Sequence, residues 1–189
     1  MELTIRKANI NDSPFIAWTV ATALGIPKPE PAFLAEVETI GKREDTLYSW
    51  KNSLIAQVDN CSVGCLVCYE GARYQTMREI TFPLILQMSG NDFSAMESET
   101  CAGEYYLDSM AVLPEYRNKG IATLLLKHGI ETAKNLNIPR VCMVVSPQNP
   151  KVQQLYEPLG FQYERNMFLF NEPYKKMVKK ISINEPIIK

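Results

Sequence analysis

Hydrophobic and polar residues alternate along the chain in patterns that predict both strands and helices. In the N-terminal half, residues 3–8 alternate as a strand does, and Asn11–Pro14 is a typical helix start before an apolar run that ends at Gly25. The pattern predicts a strand, two helices, a hairpin and a third helix at residues 3–8, 15–25, 32–42, 53–71 and 73–88. Pro83 falls inside the third helix, so we expect a kink or an early end there.

The C-terminal half is predicted to continue with strands and helices in alternation. A polar, acidic segment at residues 89–103 is expected to form a loop. Residues 140–145 form a continuous apolar run, which is typical of a strand buried on both faces. The remaining predicted elements are a strand at 104–112, helices at 118–135 and 149–160, and a strand at 161–170. The segment 174–181 has helical spacing, its assignment stays open, and its lysines are expected to face solvent.

Composition narrows the class of protein. The chain has 189 residues, 46% hydrophobic, with a formal net charge of −1. This length predicts a single domain over residues 1–189, and the balanced charge argues against nucleic-acid binding. No apolar run approaches the roughly 20 residues that span a bilayer, and the N-terminus lacks a signal peptide's apolar region, so we expect no membrane partner and a cytoplasmic location.

The cysteines do not indicate a metal site. There are five of them, an odd number, and we expect reduced thiols. Cys65 and Cys68 form a C-x-x-C inside a strand-like run, where residues three apart point to opposite faces. Because there is no second cysteine pair and His128 is the only histidine, no metal is expected.

A candidate anion site lies where the predicted strand at 104–112 leads into the next helix. Arg117, Lys119 and Gly120 stand at the helix start. The first amides of a helix have no intrahelical acceptor and the helix dipole is positive there, so this position suits an anion such as a phosphate. An ordinary strand-to-helix connection with a solvated loop remains the alternative.

Two segments of the chain together resemble the GCN5-related N-acetyltransferase (GNAT) family. The stretch MAVLPEYRNKGIATLLL fits the family's coenzyme motif Q/R-x-x-G-x-G/A through residues 117–122. The stretch from Asn149 to Phe161 resembles the later family segment that ends in Y-x-x-x-G-F. The resemblance implies an α/β (α+β) fold with a central mixed, mostly antiparallel sheet. Two parallel strands would splay apart in a V, and helices would cover both faces.

The resemblance also implies a binding site for acetyl-CoA. A bulged strand would bond the pantetheine arm, and the loop and helix start would bind the pyrophosphate. Asn149 would contact the coenzyme or cap its own helix. The implied coenzyme-binding residues are Met110, Ala111, Val112, Arg117, Asn118, Lys119, Gly120, Ile121, Ala122, Asn149 and Tyr156.

Direct attack of an amine on a thioester needs an acid and a base. Tyr156 matches the family's tyrosine near the coenzyme sulfur and is the expected general acid, with a core aromatic as the alternative. Asp108 and Glu104 are the candidate general bases, because in regular alternation they share one face of the strand. Asp108 is favoured, because a charged residue is unusual inside an otherwise apolar strand. The alternative interpretation is a structural hydrogen-bond acceptor.

The predicted function is transfer of an acetyl group from acetyl-CoA to a primary amine of a small molecule or peptide, through a ternary complex. A non-catalytic acyl-CoA sensor is the alternative. A nucleotide-binding domain is disfavoured, because the motifs G-x-x-x-x-G-K-[ST] and G-x-G-x-x-G are absent. The sequence does not name the acceptor, and it leaves open a homodimer formed through the C-terminal strands.

Overall fold

A seven-stranded mixed sheet forms the centre of the computed structural model, which describes residues 2–147 and 155–182. Within these residues the strand order is β1-β2-β3-β4-β5-β7-β6, and neighbours are antiparallel except β4 and β5. The strands are β1 Leu3–Lys7, β2 Ser53–Val58, β3 Cys61–Glu70, β4 Glu104–Val112, β5 Arg140–Val145, β6 Gln162–Leu169 and β7 Glu172–Lys180. The predicted mixed, mostly antiparallel sheet is confirmed.

Strands β4 and β5 separate after a short parallel contact. Their pairing begins at Glu104 opposite Arg140 and ends at Tyr106 opposite Cys142. On its other edge β4 pairs with β3 up to Val112. Leu107 lies opposite Cys68 and Ser109 lies opposite Val67, so Asp108 between them is the extra residue of a bulge. The predicted V between two parallel strands is therefore present, and β4 carries the predicted bulge.

Helices cover both faces of the sheet, as predicted. The longer helices are α1 Ser13–Ala23, α2 Pro31–Lys42, α3 Tyr74–Ser89 and α4 Ile121–Asn135. Helix α4 packs on one face, in a core that includes Leu66, Leu107 and Leu125. Helices α1, α2 and α3 cover the other face, in a core that includes Tyr69 and Tyr106. The two cysteines of the C-x-x-C divide between these cores, as expected for residues three apart on a strand.

Three details of the secondary structure differ from the sequence prediction. Helix α3 continues through Pro83 to Ser89 and does not end early. Helix α4 starts at Ile121 rather than 118, because Asn118 and Gly120 both have positive φ, outside the right-handed helical region. The segment whose assignment was open is strand β7, and its Lys176 is buried rather than solvated.

The segment 90–103 is a loop, as predicted, and it is tied to the helices. The Arg78 guanidinium of α3 donates hydrogen bonds to the carbonyls of Phe93, Ser94 and Met96. A Cβ on Gly71 would lie 2.1 Å from the Cys101 carbonyl oxygen, so the loop backbone fits there only against a glycine. The loop thus has a defined path across α3 toward β4.

None of the helices in the described ranges combines the length and the apolar character needed to cross a membrane.

Candidate active site

The edge of β4 that faces β5 is open beyond Tyr106, and this opening forms a slot. Met110, Ala111 and Val112 pair with β3 on one side. Across the described residues, no strand pairs with them on the other side, since the β4–β5 ladder ends at Tyr106. Backbone amide and carbonyl groups at such an edge need a partner. An extended chain with amide groups, such as pantetheine, provides partners of the right kind.

The slot leads to the start of α4, where the predicted anion site lies. Leu124 donates the first helical hydrogen bond to the Gly120 carbonyl at 3.0 Å, so the amides of Ile121, Ala122 and Thr123 precede the ladder. Gly120 has φ +79°, and in the described part of the chain no atom beyond its chain neighbours lies within 4 Å of where its Cβ would be. A ligand can therefore approach the backbone closely at this glycine.

The side chains of the loop before α4 add positive charge and link it to β4. Arg117 donates from Nε to the Val112 carbonyl at 3.0 Å, which ties the loop to the end of the strand. The Lys119 ammonium lies 5.0 Å from the centre of the Tyr116 ring. Asn118, with φ +59°, turns the backbone between them. The charge and the free amides fit a pyrophosphate, so the residues present are suited to a coenzyme A molecule.

Asp108 occupies the bulge of β4 and remains partly exposed. Its carboxylate accepts hydrogen bonds from the Tyr69 hydroxyl at 2.6 Å and from the Ser109 hydroxyl at 2.7 Å. Burial raises the pKa of the Asp108 carboxyl, and the two hydroxyls partly offset this effect. The carboxyl group is therefore a better base than an exposed aspartate, while it keeps a fixed orientation.

A second acid, Glu99, lies in the same region and was not identified from the sequence. Its carboxylate accepts hydrogen bonds from the hydroxyls of Tyr74 and Tyr106, and the side chain is buried. Burial and the nearby charge of Asp108 raise the pKa of Glu99 to about 7. The loop around Glu99 has no periodic pattern, so the sequence carries no signal that brings it to β4.

Glu104 has a different environment from Asp108, although both lie toward the α1–α3 face as alternation predicts. It accepts a hydrogen bond from the buried Lys176 ammonium at 2.7 Å and another from Arg140 at 3.1 Å. The Thr100 hydroxyl and the Cys142 thiol also donate to it. These partners outweigh the effect of burial and lower the pKa of Glu104 to about 2.

Tyr156 packs in the core on the α4 face, with its ring edge-on to Phe161 at a centroid distance of 6.1 Å. Burial raises its pKa to about 12, so the hydroxyl keeps its proton at neutral pH. Asp108, by contrast, contacts Tyr69 of the opposite core. Tyr156 and Asp108 thus belong to opposite faces of the sheet. Asn149 lies outside the described residues.

The sequence prediction missed two charged residues beside the first part of β4. Glu99 and Lys176 come from a loop and from a strand whose assignment was open, and both are buried beside β4. No group of three or more acidic, cysteine or histidine side chains suited to a metal ion occurs in the described part of the chain.

Comparison with known proteins identifies a family and a curated relative. The model of the Acetyltransferase (GNAT) family matches residues 26–161. N-alpha-acetyltransferase 30 of Schizosaccharomyces pombe is 33% identical over 61 residues, which are 32% of this chain and 41% of that protein. The match therefore spans less than half of that relative's length.

Solved structures share the fold along nearly the whole chain. An N-acetyltransferase from Staphylococcus aureus Mu50 has a TM-score of 0.75 at 23% identity, with 93% of this chain and 99% of that one covered. The PaiA N-acetyltransferase from Thermoplasma acidophilum, solved in complex with coenzyme A, has a TM-score of 0.59 at 18% identity and covers 96% and 100% of the two chains.

Proposed function

The chain belongs to the GNAT acetyltransferase family, and we propose that it transfers an acetyl group from acetyl-CoA directly to a primary amine of a small molecule or peptide, in a ternary complex. One observation carries the proposal. The open edge of β4 runs from the bulge at Asp108 to the free amides at the start of α4. A carboxylate and a slot for an amide chain thus lie along one strand, and a phosphate site lies at the start of the helix that follows it.

In this proposal the coenzyme is held by two segments of the chain. The edge of β4 at 110–112 bonds the pantetheine amides, and the loop at 117–120 with the first amides of α4 binds the pyrophosphate. When bound, acetyl-CoA supplies an activated acyl group, a thioester carbonyl. Ile121 and Ala122 contribute through their backbone, since the Ile121 side chain is part of the core.

Asp108 is the proposed general base. An amine is an ammonium ion at neutral pH and must lose a proton before its nitrogen can attack a carbonyl carbon. The Asp108 carboxylate accepts that proton, directly or through one water molecule. Burial raises the pKa of its carboxyl, which makes it a stronger base. Glu104, with its pKa near 2 and its ion pairs to Lys176 and Arg140, is a weak base, so we assign it a structural role.

Tyr156 is the proposed general acid. It acts on the sulfur from the α4 face, while Asp108 acts on the amine from the other face, across the opening between β4 and β5. As the new C–N bond forms and the C–S bond breaks, electrons move onto the sulfur, and the Tyr156 hydroxyl donates a proton to it. Its pKa of about 12 keeps that proton available at neutral pH. Backbone amides at the open edge of β4 stabilise the oxyanion in between. The second proton lost by the nitrogen restores the Tyr156 hydroxyl, and the proton held by Asp108 passes to solvent. The balanced reaction therefore gives an N-acetylated amine, free coenzyme A and one proton released to solvent.

The test is release of free thiol from acetyl-CoA with a panel of primary amines, together with detection of the acetylated product by mass spectrometry. Asp108→Asn is expected to reduce kcat at least about a hundredfold, because general bases contribute about 10²–10⁴ in rate, with coenzyme affinity unchanged. Glu131→Gln, an exposed acid on α4, is the control. Tight coenzyme binding without thiol release for any amine would favour the sensor function instead.

A further inference from the structure

Asp108 is the extra residue of the β4 bulge, so no residue of β3 lies directly opposite it. Pairing with β3 therefore does not by itself fix where the Asp108 carboxylate points. On the other edge of β4, the ladder with β5 ends at Tyr106, before Asp108 is reached. A fixed position of the carboxylate must therefore come from side-chain contacts.

Tyr69 of β3 provides such a contact. It lies opposite Tyr106 of β4, which makes Asp108 its diagonal neighbour, and a long aromatic side chain can span that separation. The Tyr69 hydroxyl donates to one carboxylate oxygen of Asp108 at 2.6 Å. Across the described ranges this is the only hydrogen bond that the hydroxyl makes.

The Tyr69 ring is held from two sides, so its hydroxyl has a defined position. Tyr69 is 2% exposed. Its ring stacks on that of Tyr74 of α3, with the centroids 6.5 Å apart, and is tilted against that of Tyr106 at 5.7 Å. The hydroxyls of these two neighbours donate to Glu99 instead. Of the three tyrosines, Tyr69 is thus the one that bonds to Asp108.

The second hydrogen bond of the Asp108 carboxylate differs in kind. The Ser109 hydroxyl donates to the other oxygen at 2.7 Å. Ser109 is the next residue of the same strand, so it moves together with the bulge. Tyr69 belongs to the neighbouring strand and to the core beneath α1, α2 and α3. The Tyr69 bond therefore ties the carboxylate to the rest of the sheet, whereas the Ser109 bond ties it only to its own strand.

From this geometry we infer that Tyr69 is a positioning residue of the proposed reaction, whose hydroxyl fixes the orientation of the Asp108 carboxylate and favours the ionised form that accepts the proton of the acceptor amine. The inference rests on the proposed function. A phenol bonds more strongly to a carboxylate than to a neutral carboxyl group, so the bond stabilises the charged form. Burial raises the pKa of Tyr69 well above its ordinary value, so it remains a donor throughout. Tyr69 acts only through Asp108.

Other titratable groups near Asp108 keep their own partners when the Tyr69 hydroxyl is removed. They are Tyr48 before β2, Cys68 on β3, Tyr74 on α3, Glu99 in the loop before β4 and Tyr106 on β4. Helix α1, which packs on β4, carries no titratable side chain. Burial raises the pKa of the tyrosines and the thiol, so they stay protonated near neutral pH. Burial and the charge of Asp108 raise the pKa of Glu99 to about 7, so Asp108 ionises first and the lower transition belongs to it.

The experiment measures the midpoint of the lower transition in kcat against pH, with saturating acetyl-CoA and one primary amine. Tyr69→Phe keeps the ring and removes the hydrogen bond. A hydrogen bond to a charged group corresponds to a pKa change of about one to two units, so the midpoint is expected to rise by about one pH unit or more. At the wild-type midpoint, where the wild type has about half of its plateau rate, the variant would have about a tenth of its own. Coenzyme affinity should not change.

Tyr69→fluorotyrosine tests the same bond in the other direction. Fluorine on the ring makes the phenol more acidic and a stronger donor, so the midpoint is expected to fall. Tyr105→Phe is the matched control, because Tyr105 is another buried tyrosine whose hydroxyl donates to the Cys68 thiol at 3.4 Å in the opposite core. Its midpoint is expected to equal that of the wild type.

A second readout does not depend on activity. The NMR signal of the Asp108 carboxyl carbon, assigned by its absence in Asp108→Asn, should titrate in the coenzyme-free protein with shifts of the same signs. In the Asp108→Asn background, adding Tyr69→Phe should leave the residual rate unchanged within about twofold, since Tyr69 acts only through the carboxylate.

The outcomes separate this inference from the proposed function. If the wild type is active and Tyr69→Phe leaves the midpoint unshifted or lowers it, the positioning role is refuted and the acetyltransferase function stands. An equal loss of rate with and without the Asp108 carboxylate refutes it in the same way. If Tyr69→Phe does not fold, the sign of the fluorotyrosine shift decides. A wild-type protein without activity toward any amine would remove the proposed function, and this inference with it.

Discussion

Replacing Lys176 by methionine would leave the Glu104 carboxylate without its nearest cation inside the protein. The two side chains are 5% and 4% exposed, and their N–O distance is 2.7 Å. Arg140 remains as a partner at 3.1 Å, but it also binds Glu164 at 2.6 Å and is 31% exposed. Water cannot replace the lysine at so buried a position, so the change is expected to destabilise the fold.

The size of the effect can be worked from the pKa of Glu104. Its fall from 4.5 to about 2 corresponds to about 3 kcal/mol of preferential stabilisation of the ionised form. Breaking a buried ion pair from one side typically costs about 3–5 kcal/mol. We therefore expect Lys176→Met to lower the free energy of unfolding by about 3 kcal/mol near neutral pH, which is a large part of the stability of an ordinary domain.

The pH dependence of this loss has a defined sign. The pKa of Glu104 is lower in the folded state, so its contribution is fully present above about pH 4.5 and is lost as the pH falls through about 2. The difference between wild type and Lys176→Met should shrink as the pH falls, because the folded variant protonates its unpaired Glu104 at a higher pH than the folded wild type, in which the pKa of Glu104 is about 2.

Urea denaturation followed by circular dichroism at neutral pH and at about pH 3 measures both effects. Lys180→Met is the matched control, since Lys180 is an exposed lysine of the same strand, and it should change the stability by less than about 0.5 kcal/mol. The double variant Glu104→Gln with Lys176→Met should recover part of the loss, because no unpaired charge remains buried. Equal stabilities of Lys176→Met and Lys180→Met would refute the reasoning.

Three other expectations concern the coenzyme site, the acid and the loop. Arg117→Ala combined with Gly120→Glu should abolish coenzyme A binding in calorimetry, since it removes a cation and places an acid at the free amides; unchanged affinity would remove the site assignment. Tyr156→Phe should lower kcat with little change in coenzyme affinity, and full activity would exclude it as the acid. Gly71→Ala should lower the thermal midpoint by an amount corresponding to about 1–3 kcal/mol, because its Cβ would collide with the Cys101 carbonyl; an unchanged midpoint would show that the loop can move away.

The sequence predicts those strands and helices whose hydrophobic pattern lies within a single short segment. The strands at Glu104–Val112 and Arg140–Val145 are found as predicted. The error at the start of α4 arose because Asn118 and Gly120 adopt positive φ, which delays the helix by a few residues. Helix α3 continues through Pro83 because it is packed on both sides of the proline: Phe82 is buried, and Leu84 and Ile85 pack partly against the same core. These tertiary contacts outweigh the missing amide.

The features that the sequence could not predict depend on contacts between distant segments. Glu99 reaches Tyr74 and Tyr106 through a loop without periodicity. Lys176 meets Glu104 across 72 residues. The sequence around Lys176 contains several lysines, and nothing in it indicates that this one is buried. Its position beside Glu104 follows only from the strand order. Local patterns therefore predict strands and helices, whereas charge pairing between them requires the sheet topology.

The short contact between β4 and β5 has a consequence for synthesis of the chain. Strands β1 to β4 pair as neighbours and are complete once Val112 has been made, so this half can form while the ribosome still holds the rest. Glu104 can pair with Lys176 only after β7 has been synthesised. Until that point the only cation of its folded-state ion pairs that has been made is the partly exposed Arg140 of β5. Pairing of β7 with β5 then places Lys176 beside Glu104, and this ion pair links the two halves of the sheet in addition to the short β4–β5 ladder.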